Sequence, residues 1–135
     1  MTETEVQNLI VQRFDSQWYE TEVEYANTRI DKDNLSEWVK LSIQFSPSIR
    51  IGFSKAALRR GTIYVQSFTK IGIAQGRAIE LAEKVAAVFV DWDIEGLNLS
   101  QHDITILGEK ATMGITTTET NWFQVNCAID FSFVS

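Results

Sequence analysis

Arg59-Arg60-Gly61 leads into Thr62–Thr69 (TIYVQSFT), and three residues later Gly72–Phe89 (GIAQGRAIELAEKVAAVF) follows. The first run is rich in β-branched and aromatic residues and reads as a strand. The second places Ala74, Ala78, Leu81, Ala82, Val85, Val88 and Phe89 at intervals that fit a helix burying one face. A strand feeding directly into an amphipathic helix is a unit built to pack, and it presents no nucleophile, metal cluster or phosphate cradle.

Outward from this unit the chain reads as helix, strands, helix, strands. Thr2–Trp18 is the first helix, capped by Thr2 or Thr4, with glutamates in the first turn where the helix dipole favours them. Val6, Leu9, Ile10, Phe14 and Trp18 form its apolar stripe. Val23–Asn27 is a short extended piece before the polar turn Asp31–Asn34. Val39, Leu41, Ile43 and Phe45 then alternate with Lys40, Ser42 and Gln44 as a half-buried strand. Ser46-Pro47-Ser48 ends it. From there to Arg60 the pattern is weak and basic, and residues 46–60 read as a long hairpin excursion between two paired strands. Asp91–Ser100 reads as an irregular acidic connection, with short strands at Ile104–Leu107 and Met113–Thr118. In the last element Phe123, Val125, Cys127, Ile129, Phe131 and Phe133 face one way, and Trp122, Gln124, Asn126, Ala128, Asp130 and Ser132 the other. So long a strand is expected at an interior position, because a long bare edge invites aggregation. The expected fold is α+β, a largely antiparallel sheet with two helices on one face and a long hairpin extension, in one domain spanning residues 1–135.

At 135 residues the chain can bury a core without disulfide or metal, and its single cysteine, Cys127, forms no internal disulfide. No apolar run reaches the roughly 18 residues of a membrane span, and the acidic N-terminus lacks the basic start of a signal peptide. A soluble, non-secreted protein with no membrane partner is expected. The net charge of −6 argues against nucleic-acid binding, which needs basic surface. That charge is segregated. Residues 1–37 carry nine acids and three bases, residues 38–90 two acids and eight bases, and residues 91–135 seven acids and one base. One reading is an ordinary solvated surface; the other is complementary patches that meet across copies of the chain.

The candidate chemistry is thin. Asp91, Asp93, Glu95 and Gly96 match the start of a calcium-binding helix–loop–helix, but position twelve is His102 where a bidentate glutamate is needed. His102-Asp103 with Cys127 has the residue types of a cysteine hydrolase, yet Cys127 lies on the apolar face of its strand. Gly72–Gly76 lacks both the dinucleotide and the triphosphate fingerprints. No catalytic residue, cofactor or metal is assigned, and an enzyme is not expected. Four tryptophans are many for this length, and Trp38 and Trp122 fall on the polar-facing side of their strands. There they are candidates for a subunit contact. Arg50, Lys55, Arg59 and Arg60, in the basic excursion, are the other interface candidates.

Four segments together resemble the tail terminator proteins of long-tailed phages. They are Val23–Asn27, Arg60–Phe68, the glycine-led helix from Gly72 to Phe89, and Trp122–Phe131. The resemblance implies a structural role: a six-membered ring that caps the tail tube, stops its growth and presents a surface to the head connector. It implies partners in other copies of the chain, the tube protein and the connector, and a place at the head-proximal end of the virion tail after assembly in the host cytoplasm. An acidic lumen would repel passing DNA. A head–tail joining or tail-completion protein is the alternative within the same particle. A small α+β ligand-binding domain or enzyme needs a pocket of converging polar groups, for which the sequence offers no set of residues.

Overall fold

A computed structural model describes residues 1–25, 28–31, 35–47, 49–50, 57–70, 75–90, 92–110 and 122–134. Among them the elements run α1 (Glu3–Gln17), β1 (Glu22–Tyr25), β2 (Glu37–Phe45), β3 (Ile49–Arg50), β4 (Ala57–Lys70), α2 (Gln75–Val90), β5 (Leu97–Lys110) and β6 (Trp122–Val134). The strands form one sheet in the order β1-β2-β4-β6-β5, with β3 pairing β4. Every pairing is antiparallel except β1 with β2. The fold is α+β, with a mostly antiparallel sheet.

The helices form because their apolar stripes find one face of this sheet. Val6, Ile10 and Phe14 of α1, and Ala78, Leu81, Ala82, Val85 and Phe89 of α2, share one core with Val39, Leu41, Ile63, Val65, Val125, Cys127, Ile129, Phe131 and Phe133. Thr2 caps α1 by accepting a hydrogen bond from the Glu5 N–H at 3.1 Å, and the Trp18 N–H closes the other end on the Phe14 carbonyl. The two helices are joined where the Arg13 guanidinium donates to the Val88 carbonyl at 3.0 Å, near the end of α2 where helical carbonyls lack partners. Phe14 stacks on both Trp18 and Phe89, with ring centroids 5.1 and 6.1 Å away.

Several boundaries differ from the sequence reading. The hairpin excursion is shorter than expected, because β4 begins at Ala57 and β3 pairs with its first residues, Ile49 opposite Leu58 and Arg50 opposite Ala57. Arg59 and Arg60 therefore belong to the central strand. The acidic connection is also shorter, since β5 starts at Leu97 and absorbs the expected strand at Ile104–Leu107. Its register shifts between Leu99 and His102 and again between Ile106 and Gly108, and these bulges break the alternation. Gly96, with φ of 89°, makes the tight turn into β5, where the Leu97 N–H meets the Ile94 carbonyl at 3.2 Å. That is the structural use of the glycine in the acidic stretch. The final strand β6 is interior, one place from the β5 edge. The expected strand at Met113–Thr118 lies outside the described residues.

Gly61 is fixed by packing. In the sheet it sits between Phe45 of β2 and Phe131 of β6, and a Cβ there would run into the Phe131 ring and come within 2.5 Å of the Gln44 carbonyl oxygen. Phe131 lies over the glycine and meets Phe45 edge-on at 5.7 Å. Gly61→Ala should destabilise the fold by about 1–3 kcal/mol, since a strand backbone must move to admit the methyl. Chemical denaturation of the purified variant measures this directly.

Candidate interaction surfaces

The sheet face away from the helices is polar over most of its extent, with one apolar corner. Trp38, Phe68 and Trp122 cluster there, Trp38 stacked on Phe68 at 4.2 Å and edge-on to Trp122 at 6.0 Å. The expectation that Trp38 and Trp122 are exposed is corrected: they are 1% and 0% accessible. They do lie on the face opposite the main core. What covers that corner is the connection between the parallel strands β1 and β2, which brings Ile30 and Leu35 against it. Parallel neighbours require such a crossover. The buried Glu24 carboxylate helps hold it in place by accepting from the Ile30 N–H at 3.3 Å. Both indoles are thus part of a second small core, unavailable to a partner.

The basic candidates divide. Arg59 is half-buried and pairs with Glu3 of α1 at 2.6 Å, tying the first helix to the sheet. Arg60 is exposed. Arg50 is in β3, but its side chain, like all of Lys55, lies outside the described residues. The segregated charges along the chain are partly matched within one copy. Arg77 of α2 grips Glu37 of β2 with two hydrogen bonds of 2.8 Å and also reaches Glu80 and Glu20 at 3.0 and 3.6 Å. Lys84 meets the same Glu20 and Glu80 at 3.2 and 3.3 Å. Bases of the middle third thereby hold acids of the first third, a network that sequence position alone did not disclose.

The two-pronged bond from Arg77 holds the Glu37 carboxyl below its ordinary value of 4.5, against the opposing effect of burial. A carboxylate with a depressed folded pKa adds stability above its unfolded pKa, and that stability is lost as pH falls through the folded one. Glu37→Gln should therefore melt lower than the parent at neutral pH. The gap should close as pH drops below about 4.5, which thermal melts in a buffer series would show.

Cys127 faces the main core, fully buried, and burial pushes its thiol up to about 11, with Asp103 adding to the effect. His102, in β5, is exposed and lies across from Ile129, whereas Cys127 is across from Ile104. The two side chains do not form a nucleophile–base pair in any usable sense, because no substrate reaches the sulfur. Native protein should resist an aromatic disulfide reagent at neutral pH, and one thiol per chain should react after unfolding; rapid labelling of the native chain would show a core more open than this. Among the described residues no three His, Cys, Asp or Glu side chains gather where a metal could sit. No described helix is long and apolar enough to cross a membrane.

A surface hollow that the sequence reading missed lies between α2 and β5. It has a volume of about 410 Å³ and is lined by Glu83, Ala86, Ala87, Val90, His102 and Ile104. It continues into a larger trough toward Trp92, Asp93 and Leu97. Ala86 and Ala87 put only methyl groups on its α2 side, and nearby Val90 is 66% and Ile106 51% exposed. On its outer side β5 pairs with no other strand among the described residues.

No family model and no curated protein matches the chain. A solved protein structure is similar over 94% of both chains, with a TM-score of 0.62 and 17% sequence identity. At that identity the likeness extends to the fold alone.

Proposed function

We propose that this chain is a structural phage protein, a tail terminator whose copies form a ring that caps the tail tube and meets the head connector. Its mechanism is steric and interfacial, with no reaction catalysed, and its place is the head-proximal end of the virion tail. The observation that carries the reading is the asymmetry of the molecule. The two sheet edges differ: β1 is 4 residues long and β5 is 14. Unlike surfaces at opposite ends of a subunit favour head-to-tail contacts, and such contacts close into rings when the rotation permits. The four segments that resemble tail terminators supply the biological setting.

Light scattering of the purified chain across a concentration and salt series tests it. The expected result is a six-subunit species that salt loosens, and that Arg60→Ala weakens without altering the melting temperature. A stable dimer with no larger state would overturn the ring. A ring that ignores tail-tube protein but binds connector protein would instead mark a head–tail joining protein.

A further inference from the structure

We propose that the outer side of β5, together with the trough beside α2, binds a short extended segment of another protein in which apolar residues alternate with basic ones. The inference deepens the interfacial reading above, on which it rests for the partner's being a protein, and it gives that contact a chemistry.

Backbone and side chains point to the same kind of partner. β5 is the last strand of the sheet, and among the described residues no strand pairs with its outer side. Its outward N–H and C=O groups can therefore receive one more strand. The trough follows the same edge on the helix side. Leu97, Leu99 and Ile104 of β5 give it apolar surface, and Ala87 and Val90 of α2 stand across from them. Side chains alternate along an added strand, so every second one would enter the trough and those between would lie on the sheet's polar face. The first set should be apolar. The register of β5 is unbroken from His102 to Ile106, between its two shifts, so a short segment suffices.

Charge decides the second set. Glu83 lines one part of the trough and Asp93 the other, both exposed, and no lysine or arginine lines either part. On the polar face the exposed Asp103 stands opposite Ala128, beside the path an added strand would take. Basic residues between the apolar ones would meet Asp103, and basic residues at the ends would meet Glu83 and Asp93. An acidic segment would be repelled along the same path. A second copy of β5 is a poor occupant for that reason, because its own Asp103 would bring like charge to this edge.

Two short peptides blocked at both ends test this, one alternating valine with lysine and the other valine with glutamate. Trp92 lines the trough and is half-buried, whereas Trp18, Trp38 and Trp122 are buried, so a shift in tryptophan emission reports on the trough. The lysine peptide should give a saturable shift and bind roughly tenfold or more tightly than the glutamate peptide at low salt. Methylating its backbone nitrogens on the pairing side should abolish binding, because the added strand then lacks donors. Val90→Arg, at an exposed position, should remove binding with the melting temperature unchanged, and Glu83→Lys with Asp93→Lys should erase the preference for lysine. Equal binding of the two peptides, binding that survives methylation, or binding of neither overturns the inference. Light scattering on the same samples separates it from the ring. A six-subunit species that ignores the lysine peptide overturns this contact and spares the ring. A chain that binds the peptide but forms a stable dimer and nothing larger overturns the ring and keeps the contact.

Discussion

The pairing of β4 with β6 is the constraint on which the other elements depend. It runs without interruption from Leu58 opposite Val134 to Lys70 opposite Trp122. Along it each strand sends alternate side chains to the helix layer and to the polar face. A slip of one residue would bury Gln66 and Asn126 and expose Val65 and Cys127, so the register is strongly specified. Gly61 beneath the Phe131 ring pins it further, because only that alignment puts a missing side chain under the aromatic ring. β2 and β5 hang on either side of this pair, and α2 packs across it.

The same ladder reaches beyond the part that β2 covers. β4 is longer than β2, which pairs with it only from Gly61 to Thr69. Before Gly61, Leu58, Arg59 and Arg60 remain held by β6 on one side, and Ala57 and Leu58 take β3 on the other. Arg59 and Arg60 therefore stand on a continuation of the central strand, held by the most extensively paired part of the fold. Arg59 adds a second tether through Glu3 of α1.

Elements whose apolar spacing is regular were legible from sequence: both helices to within a few residues, β2, and β6 with its two faces. Elements where regularity breaks were not. Leu58-Arg59-Arg60 looks like loop because two adjacent bases obscure the alternation, yet one arginine is spent on α1 and the other faces solvent. β5 was read as a fragment because two bulges shift its phase, so that Leu97, Leu99, His102, Ile104 and Ile106 never form an unbroken every-second pattern. The faces of Trp38 and Trp122 were assigned correctly and their exposure was not. A strand's pattern says which way a side chain points but nothing of what a distant segment lays over it, and here two apolar residues in a polar stretch, Ile30 and Leu35, supply the cover. The hollow beside α2 is invisible to periodicity for a related reason: it lies between two elements distant in sequence, and no single segment encodes it.

A long outer strand with exposed apolar neighbours is a hazard for a chain on its own, since it templates indiscriminate pairing. Two features of β5 limit this. Its bulges twist the ladder and interrupt any flat run of donors and acceptors, and His102 and Asp103 put polar groups in the middle of the strand. Neither feature covers Val90 or Ile106. Protection is thus incomplete along the part that borders α2, and that incompleteness argues for use over neglect. On the proposed reading, a subunit that must join two neighbours needs one surface that stays open until a partner arrives, bordered by enough polarity and curvature that only a matching segment fits.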